Sequence, residues 1–396
     1  MKSIEAMEED GDAFQNVVRL GFVSFFTDVS SEMVFSVLPV FILGLPGGSP
    51  AALGLVEGLA EALSYMLRAV SGVVSDKFRR RKLFILIGYS VSNVVKPLFA
   101  TASSVADALV IRVADRVGKG IRTAPRDALI SDSVSAGRRG EAFGLHRALD
   151  QTGAILGPLT ATAAMVLLEW TVREVFWLSL LPGSVALVII LFGVREIVGG
   201  GEGEFRFLEG LREVVRGRFL RLLGIVCLFS LGAYNFSFIL LNAREMGVGD
   251  ALIPVVYAVV NVTHTLVAIP AGRLADRIGK ERVLALGYGA FLVSTLLLPA
   301  MPRAVASAYV VAAVFGVYMG VVETVQRALI PGYVESRLRG TAYGAYYLVV
   351  GASFFVANTV VGSLWESRGI WASSLYSVAL AGAATLGMLA FTRRGS

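Results

Sequence analysis

The chain has 396 residues, of which 55% are hydrophobic and 17% are charged, and its formal net charge is +6. Soluble domains carry roughly 25% charged residues, and apolar runs of about 20 residues are typical of membrane-spanning helices. The composition therefore argues against a soluble enzyme, a disordered chain and a nucleic-acid-binding protein, and it indicates a polytopic helical membrane protein. The single Cys227 excludes an internal disulfide framework, and the acidic first residues lack the apolar core of a signal peptide.

Apolar runs separated by charged residues, Gly or Pro predict twelve membrane spans. We therefore expect an all-α membrane protein with two pseudo-symmetric six-helix halves. The predicted spans are 17–45, 51–75, 83–102, 105–133, 140–168, 174–194, 219–243, 251–275, 283–301, 305–333, 340–366 and 370–391.

Basic residues are concentrated in alternate loops, at 77–82, 138–139, 273–282 and 337–339, and at the end of the chain. Positively charged loops remain on the cytoplasmic side, so we expect a multi-pass protein of the cell membrane with both termini in the cytoplasm. The Gly-rich and then basic segment between the halves predicts a linker with an amphipathic helix on the membrane surface. The expected organisation is a tail 1–16, a half 17–194, a linker 195–218, a half 219–391 and a tail 392–396.

An internal repeat supports two similar halves. Gly72-Val-Val-Ser-Asp76 recurs 200 residues later as Gly272-Arg-Leu-Ala-Asp276, and Arg139-Gly140 recurs as Arg339-Gly340. Gly88-Tyr89 matches Gly287-Tyr288 within one residue of the same offset. Parallel repeats of this kind are typical of transporters, whose substrate sites lie between the halves near the middle of the membrane.

Three motifs resemble those of the major facilitator superfamily. The segment 72–81 resembles the signature loop of that family, and Arg116-Val-Gly-Lys-Gly120 resembles the Arg-containing motif of its fourth helix. The fifth predicted helix has the spacing G-x8-G-x3-GP, which resembles the motif of the twelve-helix drug/proton antiporter branch. Its residues are Gly144, Gly153, Gly157 and Pro158, which we interpret as a packing face with a local kink.

The resemblance also implies a cytoplasmic gate that closes the two halves together. Asp76 is expected to meet the start of the eleventh helix at Arg339, and a basic residue of 79–81 is expected to pair with Asp132. The alternative is that the basic residues only anchor the loop to anionic lipid. The gate candidates are Gly72, Asp76, Arg80, Asp132, Asp276 and Arg339.

Ionisable residues inside predicted spans are functional candidates, because burying charge in a membrane is costly. Asp28 and Glu32 are four residues apart and share a helix face. Two negative charges so close together in a membrane are unfavourable in free energy, so one of these acids is expected to bind a proton. The alternative is that an Arg of the fourth helix neutralises the acid. The candidates for proton or ion coupling are Asp28, Glu32, Glu57, Glu61 and Asp150.

The fourth predicted helix carries an unusual stripe of charge. Most of its charged residues fall on one narrow face, which should meet water, an anion or the acids of the first two helices. We expect a buried salt-bridge network, and the sequence leaves open whether that network stabilises one state or carries protons. The stripe consists of Arg112, Asp115, Arg116, Lys119, Arg122 and Arg126.

The second half has fewer polar residues within its spans. Asn235 and Asn242 are seven residues apart and are expected to share one face of the seventh helix, while Glu323 and Arg327 are expected to pair across one turn. The candidates for substrate contact are Asn235, Asn242, Glu323, Arg327 and Tyr343.

These features predict a secondary transporter that works by alternating access, with proton-coupled antiport exporting a small amphipathic or charged solute. One alternative is a uniporter or symporter of an organic anion or lipid-like solute, attracted by Arg122 and Arg126. A divalent-metal exporter using Asp28 and Glu32 is another, since carboxylates bind hard cations. From a different class, the chain could be a non-transporting receptor or scaffold.

No catalytic residue, resident metal or cofactor is expected. The sequence has no G-x4-GK[ST] loop, which disfavours an ATP-driven pump, and no Cys/His cluster that suggests a metal centre. The expected driving force is a proton gradient. The expected partners are a small solute, protons and membrane lipids, without nucleic acid, and the chain is expected to be a monomer and not an enzyme.

Overall fold

The computed structural model describes residues 2–78, 80–197, 207–335 and 338–393, and all regular structure within these ranges is helical. Positions 79 and 337 of the basic loops, and the chain end from 394, lie outside the described residues. The α-helices are α1 (Lys2–Gly44), α2 (Pro50–Phe78), α3 (Arg81–Val95), α4 (Val105–Asp132), α5 (Arg139–Leu167), α6 (Val172–Leu178), α7 (Leu180–Val188), α8 (Phe207–Val214), α9 (Gly217–Gly232), α10 (Ser237–Glu245), α11 (Ile253–Ile278), α12 (Lys280–Ala300), α13 (Val305–Leu329), α14 (Arg339–Arg368) and α15 (Ile370–Arg393).

Nine helical stretches among the described residues are long and apolar enough to cross a membrane. The predicted spans that fall outside this set correspond to α2, α4 and α5, which carry many of the charged residues that the sequence places inside the membrane. Large apolar side chains such as Leu266 and Leu386 are 68% and 69% exposed, as expected of surfaces that face lipid. The all-helical membrane architecture is confirmed, while the count of twelve spans stays a prediction.

The chain divides into two compact units. The first contains residues 1–35, 66–102 and 110–205, and the second contains 36–65, 103–109 and 206–396. Helices α1 and α2 thus each contribute one part to each unit. The core of the first unit includes Val17, Leu20 and Tyr89.

Stacked aromatic rings form the core of the second unit. Phe229 and Tyr288 are stacked with ring centroids 3.7 Å apart, and Phe291 meets Phe229 edge-on at 5.4 Å. The turn between α11 and α12 needs no loop, because Gly279 has a φ of +98° that reverses the chain in one residue.

The seventh predicted span, 219–243, is not one continuous helix. Residues 233–236 separate α9 from α10. The break is stabilised by side chains that replace helical hydrogen bonds: the Asn358 amide oxygen accepts from the backbone N–H of Asn235 at 2.8 Å, and the Asn235 amide oxygen accepts from that of Ser237 at 2.9 Å. The sixth predicted span is likewise divided into α6, α7 and a π-helical turn (Ile189–Gly193).

The predicted linker is described only in part. Residues 198–206 lie outside the described residues, and α8 occupies the position of the expected amphipathic helix. Its place on the membrane surface stays a prediction.

Candidate functional site

Helices α1 and α5 of the first unit pack with their backbones in close contact. A Cβ atom at Gly153 would lie 2.4 Å from the carbonyl oxygen of Phe25, and one at Gly157 would lie 2.7 Å from that of Val29. Only glycine permits this approach. A Cβ at Gly144 would meet no described atom within 4 Å, so the close packing face in this structure involves Gly153 and Gly157 but not Gly144.

The close packing brings two of the predicted coupling residues together. Asp28 of α1 and Asp150 of α5 share a side-chain hydrogen bond. Asp150 also lies 3.0 Å from the Arg147 guanidinium, and its side chain is 15% exposed. The charge of Lys119 acts on Asp28 from α4, and that of Glu32 acts from the next turn of α1. The partner of Asp28 in the structure is therefore Asp150, whereas the sequence pattern favours Glu32.

A second charged cluster surrounds Asp115 on α4. Arg112 and Arg116 lie 3.7 and 4.0 Å from its carboxylate, and the Ser92 hydroxyl of α3 donates to it at 2.6 Å. Both guanidinium groups also lie over the ring of Phe35, at 3.7 and 4.7 Å from its centroid. Arg112, Asp115 and Arg116 are 0%, 2% and 3% exposed, so the predicted buried network exists at this point of the stripe.

Lys96 at the end of α3 is a functional candidate that the predicted site omits. It is fully buried and donates to the Ser31 hydroxyl of α1 at 3.0 Å. Arg122 of α4 is also buried, and its guanidinium stacks 4.1 Å above the Tyr89 ring. Gly88 makes room for this contact, because a Cβ there would lie 2.6 Å from that of Arg122. The sequence signal for Lys96 is its position as the lone charge of the third predicted span.

Arg126, the last residue of the stripe, is held away from the Asp115 cluster. Its guanidinium bonds to Asp127 at 2.8 and 3.0 Å and to the Ser24 hydroxyl at 3.3 Å. Arg126 therefore belongs to a hydrogen-bond network with α1 and α5.

The basic loop pairs with α4 through Arg81. The Arg81 guanidinium forms an ion pair with Asp132, and the neighbouring Arg80 is exposed. Of the predicted gate residues, Asp276 and Arg339 are exposed. The surroundings of Gly72 and the side chain of Asp76 lie outside the described residues, so the predicted contact between Asp76 and Arg339 stays a prediction.

The second unit contains a polar group at the break between α9 and α10. The Asn235 amide donates to the Glu57 carboxylate at 3.3 Å, and Glu57 is 1% exposed. Helix α2 approaches α14 closely here, because a Cβ at Gly54 would lie 2.1 Å from the Asn358 carbonyl oxygen. Glu57 is therefore a buried acid beside the N-terminal end of a half-helix, where negative charge is favoured. Glu61, one turn further along α2, is half-buried.

Among the substrate-contact candidates, Arg327 contacts both Glu323 and Tyr343, whereas Asn235 and Asn242 belong to different parts of the seventh predicted span. Asn235 precedes the start of α10, so its seven-residue spacing from Asn242 does not place the two on one continuous helix face. Arg327 donates to the backbone carbonyl of Glu323 at 3.4 Å, and the Tyr343 hydroxyl donates to the backbone carbonyl of Arg327 at 3.3 Å. The Glu323 carboxylate lies 3.7 Å from the His264 ring.

Comparison with known proteins identifies the family. The sequence profile of the Major Facilitator Superfamily matches residues 20–358 and 222–395. The chain is 33% identical over 365 residues to an uncharacterized MFS-type transporter of Methanocaldococcus jannaschii, covering 91% of this chain and 90% of the relative. It is 25% identical over 299 residues to the multidrug resistance protein MdtG of Klebsiella pneumoniae, covering 72% and 70%.

The fold agrees with that assignment. The crystal structure of the nucleoside transporter NupG is similar, with a TM-score of 0.73 at 13% identity over 96% of this chain and 98% of the other. The chain is thus a multi-pass membrane protein of a family of transporters rather than enzymes, and it belongs to the Major Facilitator Superfamily.

Proposed function

We propose that this protein is a proton-coupled antiporter that exports a small amphipathic or charged solute by alternating access. The observation that carries the proposal is the pairing of Asp28 with Asp150 where α1 and α5 are in close contact. Two carboxyl groups can hydrogen-bond to each other only when one of them holds a proton, so we interpret this pair as a proton-binding site built from two helices.

The charges around the pair suit a site that gains and loses its proton. Loss of the shared proton would leave two carboxylates side by side in a region of low dielectric, which repel each other. Arg147 beside Asp150, and the charge of Lys119 acting on Asp28, would offset that repulsion. Because the two acids belong to different helices, deprotonation favours separation of α1 from α5. This links proton release to helix movement.

Export as the direction is supported by the name of one relative, a multidrug resistance protein. In the proposed arrangement the protein lies in the cell membrane as a monomer, with both termini in the cytoplasm. The Arg81–Asp132 ion pair would then hold the cytoplasmic end of α3 against the cytoplasmic end of α4.

Proton flux in reconstituted vesicles tests the proposal. The purified protein is placed in liposomes that contain a pH-sensitive dye, and ethidium, 2-naphthalenesulfonate and uridine are added in turn as probes. The two charged probes keep their charge at all relevant pH values and so carry no protons passively. Antiport predicts proton movement opposite to the probe that is transported.

Three variants locate the coupling site. Asp28→Asn and Asp150→Asn should lower probe-driven proton flux at least about tenfold, because neither amide can exchange the proton. Exchange of labelled for unlabelled probe should continue. Glu141→Gln is the matched control, since Glu141 is an exposed acid on α5 that bonds to Arg138 at 3.1 Å. Probe transport without proton movement in the unmodified protein would contradict the coupling, and full flux in both Asp variants would exclude this pair.

Transport of an organic anion is a second candidate, favoured by the buried positive charge of α3 and α4. Lys96, Arg112, Arg116 and Arg122 are each at most 5% exposed, and Asp115 lies 3.7 and 4.0 Å from two of them, Arg112 and Arg116. A group of buried basic side chains is the kind of site that attracts a negatively charged solute. Uptake of 2-naphthalenesulfonate but not ethidium, with loss in Arg122→Gln, would support this candidate.

A further inference from the structure

A buried hydrogen-bond network in the first unit connects four helices around Ser24. The Ser24 hydroxyl of α1 lies 2.8 Å from Nε2 of His146 on α5 and 3.3 Å from the Tyr89 hydroxyl on α3. Arg126 of α4 donates to the same oxygen at 3.3 Å. Ser24, Tyr89 and His146 are at most 5% exposed, and the Arg126 side chain, at 16%, is the most exposed group of the four.

The second unit has a corresponding network at the repeated positions. The Tyr288 hydroxyl donates to the Gln326 amide oxygen at 3.1 Å, and the Gln326 amide donates to the Tyr346 hydroxyl at 3.0 Å. The repeat offset of 200 residues places Gln326 on Arg126 and Tyr346 on His146, and Tyr288 falls within one residue of the position matching Tyr89. Hydrogen bonds therefore link the helices at matching positions in both halves. In the first half these bonds include the imidazole of His146, a titratable group, whereas in the second half they are formed by neutral amide and phenol groups.

The donors and acceptors around Ser24 allow His146 two arrangements of its proton. Ser24 has one hydroxyl hydrogen, and Arg126 is a donor only, so that hydrogen must point to His146 or to Tyr89. The shorter contact, at 2.8 Å, is to His146. If the hydrogen points to His146, Nε2 is the acceptor and the imidazole is neutral with its proton on Nδ1; if it points to Tyr89, Nε2 carries a proton and donates it to Ser24. The ring can therefore change its protonated nitrogen without losing the contact with Ser24.

His146 also lies next to the proposed proton-binding pair. Asp150 is four residues further along α5 and therefore shares the face of His146. The charged groups that act on the ring are Arg126 and Asp127 from α4 and Arg147 and Asp150 from α5 itself.

We propose that His146 is the proton relay between solvent and the Asp28–Asp150 pair, a role that rests on the proposed proton coupling. A proton from solvent forms an N–H bond at Nε2, and the proton on Nδ1 leaves for a carboxylate of the pair, which leaves the ring neutral with its proton on Nε2. Transfer in the opposite direction, from the pair to Nδ1 with loss of the Nε2 proton to solvent, restores the first tautomer. While Nε2 carries its proton, Ser24 becomes the acceptor of that bond and turns its own hydrogen to Tyr89. Tyr346, at the matching position of the second unit, is uncharged and has only a structural role.

Transport measurements distinguish a proton relay from a purely structural role of His146. His146→Gln places an amide near Ser24 that can hydrogen-bond but cannot carry a proton. Probe-driven proton flux should fall at least about tenfold, while exchange of labelled for unlabelled probe stays within about twofold. Tyr346→Phe is the matched control at the repeated position, and it should leave the ratio of proton flux to exchange unchanged.

Nuclear magnetic resonance gives a second readout that does not depend on the solute. The chain has two histidines, so a protein labelled with ¹⁵N-histidine gives two imidazole spin systems, and His264→Gln assigns them. We expect Nε2 of His146 to be unprotonated in the resting protein, and its titration to move when Asp150→Asn removes the neighbouring charge.

Full proton flux in His146→Gln, or an Nε2 that is protonated at rest, would overturn the relay. Absence of probe-driven proton flux in the unmodified protein would overturn the proposed coupling and the relay with it. A loss confined to His146→Gln, with normal exchange, supports both.

Discussion

The contact between α1 and α5 should fail if Gly153 is replaced by alanine. The added Cβ would lie 2.4 Å from the carbonyl oxygen of Phe25 and 3.1 Å from Cβ of Asp28. Ordinary contact begins at 3.4 Å, so α5 must withdraw by about 1 Å, because the nearest obstacle is backbone that cannot rotate away. Overpacking of this kind costs about 1–3 kcal/mol in the free energy of unfolding.

Gly144→Ala is the matched control on the same helix. Alanine at either position gains about 1 kcal/mol in helix propensity over glycine, and at Gly144 the added methyl group meets open space. The difference between the two variants therefore isolates the packing cost. Gly153→Ala should unfold several °C below Gly144→Ala when both are heated in the same detergent at one scan rate.

The same movement should weaken proton coupling. A withdrawal of α5 by about 1 Å would draw Asp150 away from Asp28 and weaken the contact between the two carboxyl groups. Gly153→Ala should therefore lower probe-driven proton flux in vesicles, whereas Gly144→Ala should not. Equal unfolding temperatures and equal proton flux in the two variants would refute the packing argument and the importance of the pair.

Three further substitutions, at two positions, test the buried polar groups. Asp115→Asn removes a buried negative charge 3.7 and 4.0 Å from Arg112 and Arg116, so it should cost about 3–5 kcal/mol in the free energy of unfolding and lower the unfolding temperature strongly. An unchanged temperature would show that other groups balance these cations. Asn235→Ala removes the amide that bonds to Glu57 and should cost about 1–3 kcal/mol, whereas Asn235→Asp, tested in the same unfolding assay, should be worse still because it sets two acids side by side.

The apolar pattern predicts the helices because each span must bury its own backbone hydrogen bonds, which requires a long apolar run. It cannot predict the break at 233–236, because that break depends on a side chain of Asn358, more than a hundred residues away. The pairing of Asp28 with Asp150 escapes the sequence pattern for the same reason. The pattern identifies both acids as candidates, but their contact depends on how closely Gly153 lets α5 approach α1.

The second half of the chain packs without charge at four positions that are charged in the first half. At the repeat offset of 200 residues these four positions correspond to apolar residues, and well-buried side chains are among them: Phe315 is 1% exposed and Val322 is 8% exposed. Similar helices thus pack at matching positions without charge, so packing alone does not explain a group that is costly to bury. The pairs are Asp28 with Leu228, Asp115 with Phe315, Arg122 with Val322 and Asp150 with Val350. The proposed movement of protons gives the charges at Asp28 and Asp150 a use that packing does not, and loss of proton flux in Asp28→Asn and Asp150→Asn is the result expected from that use.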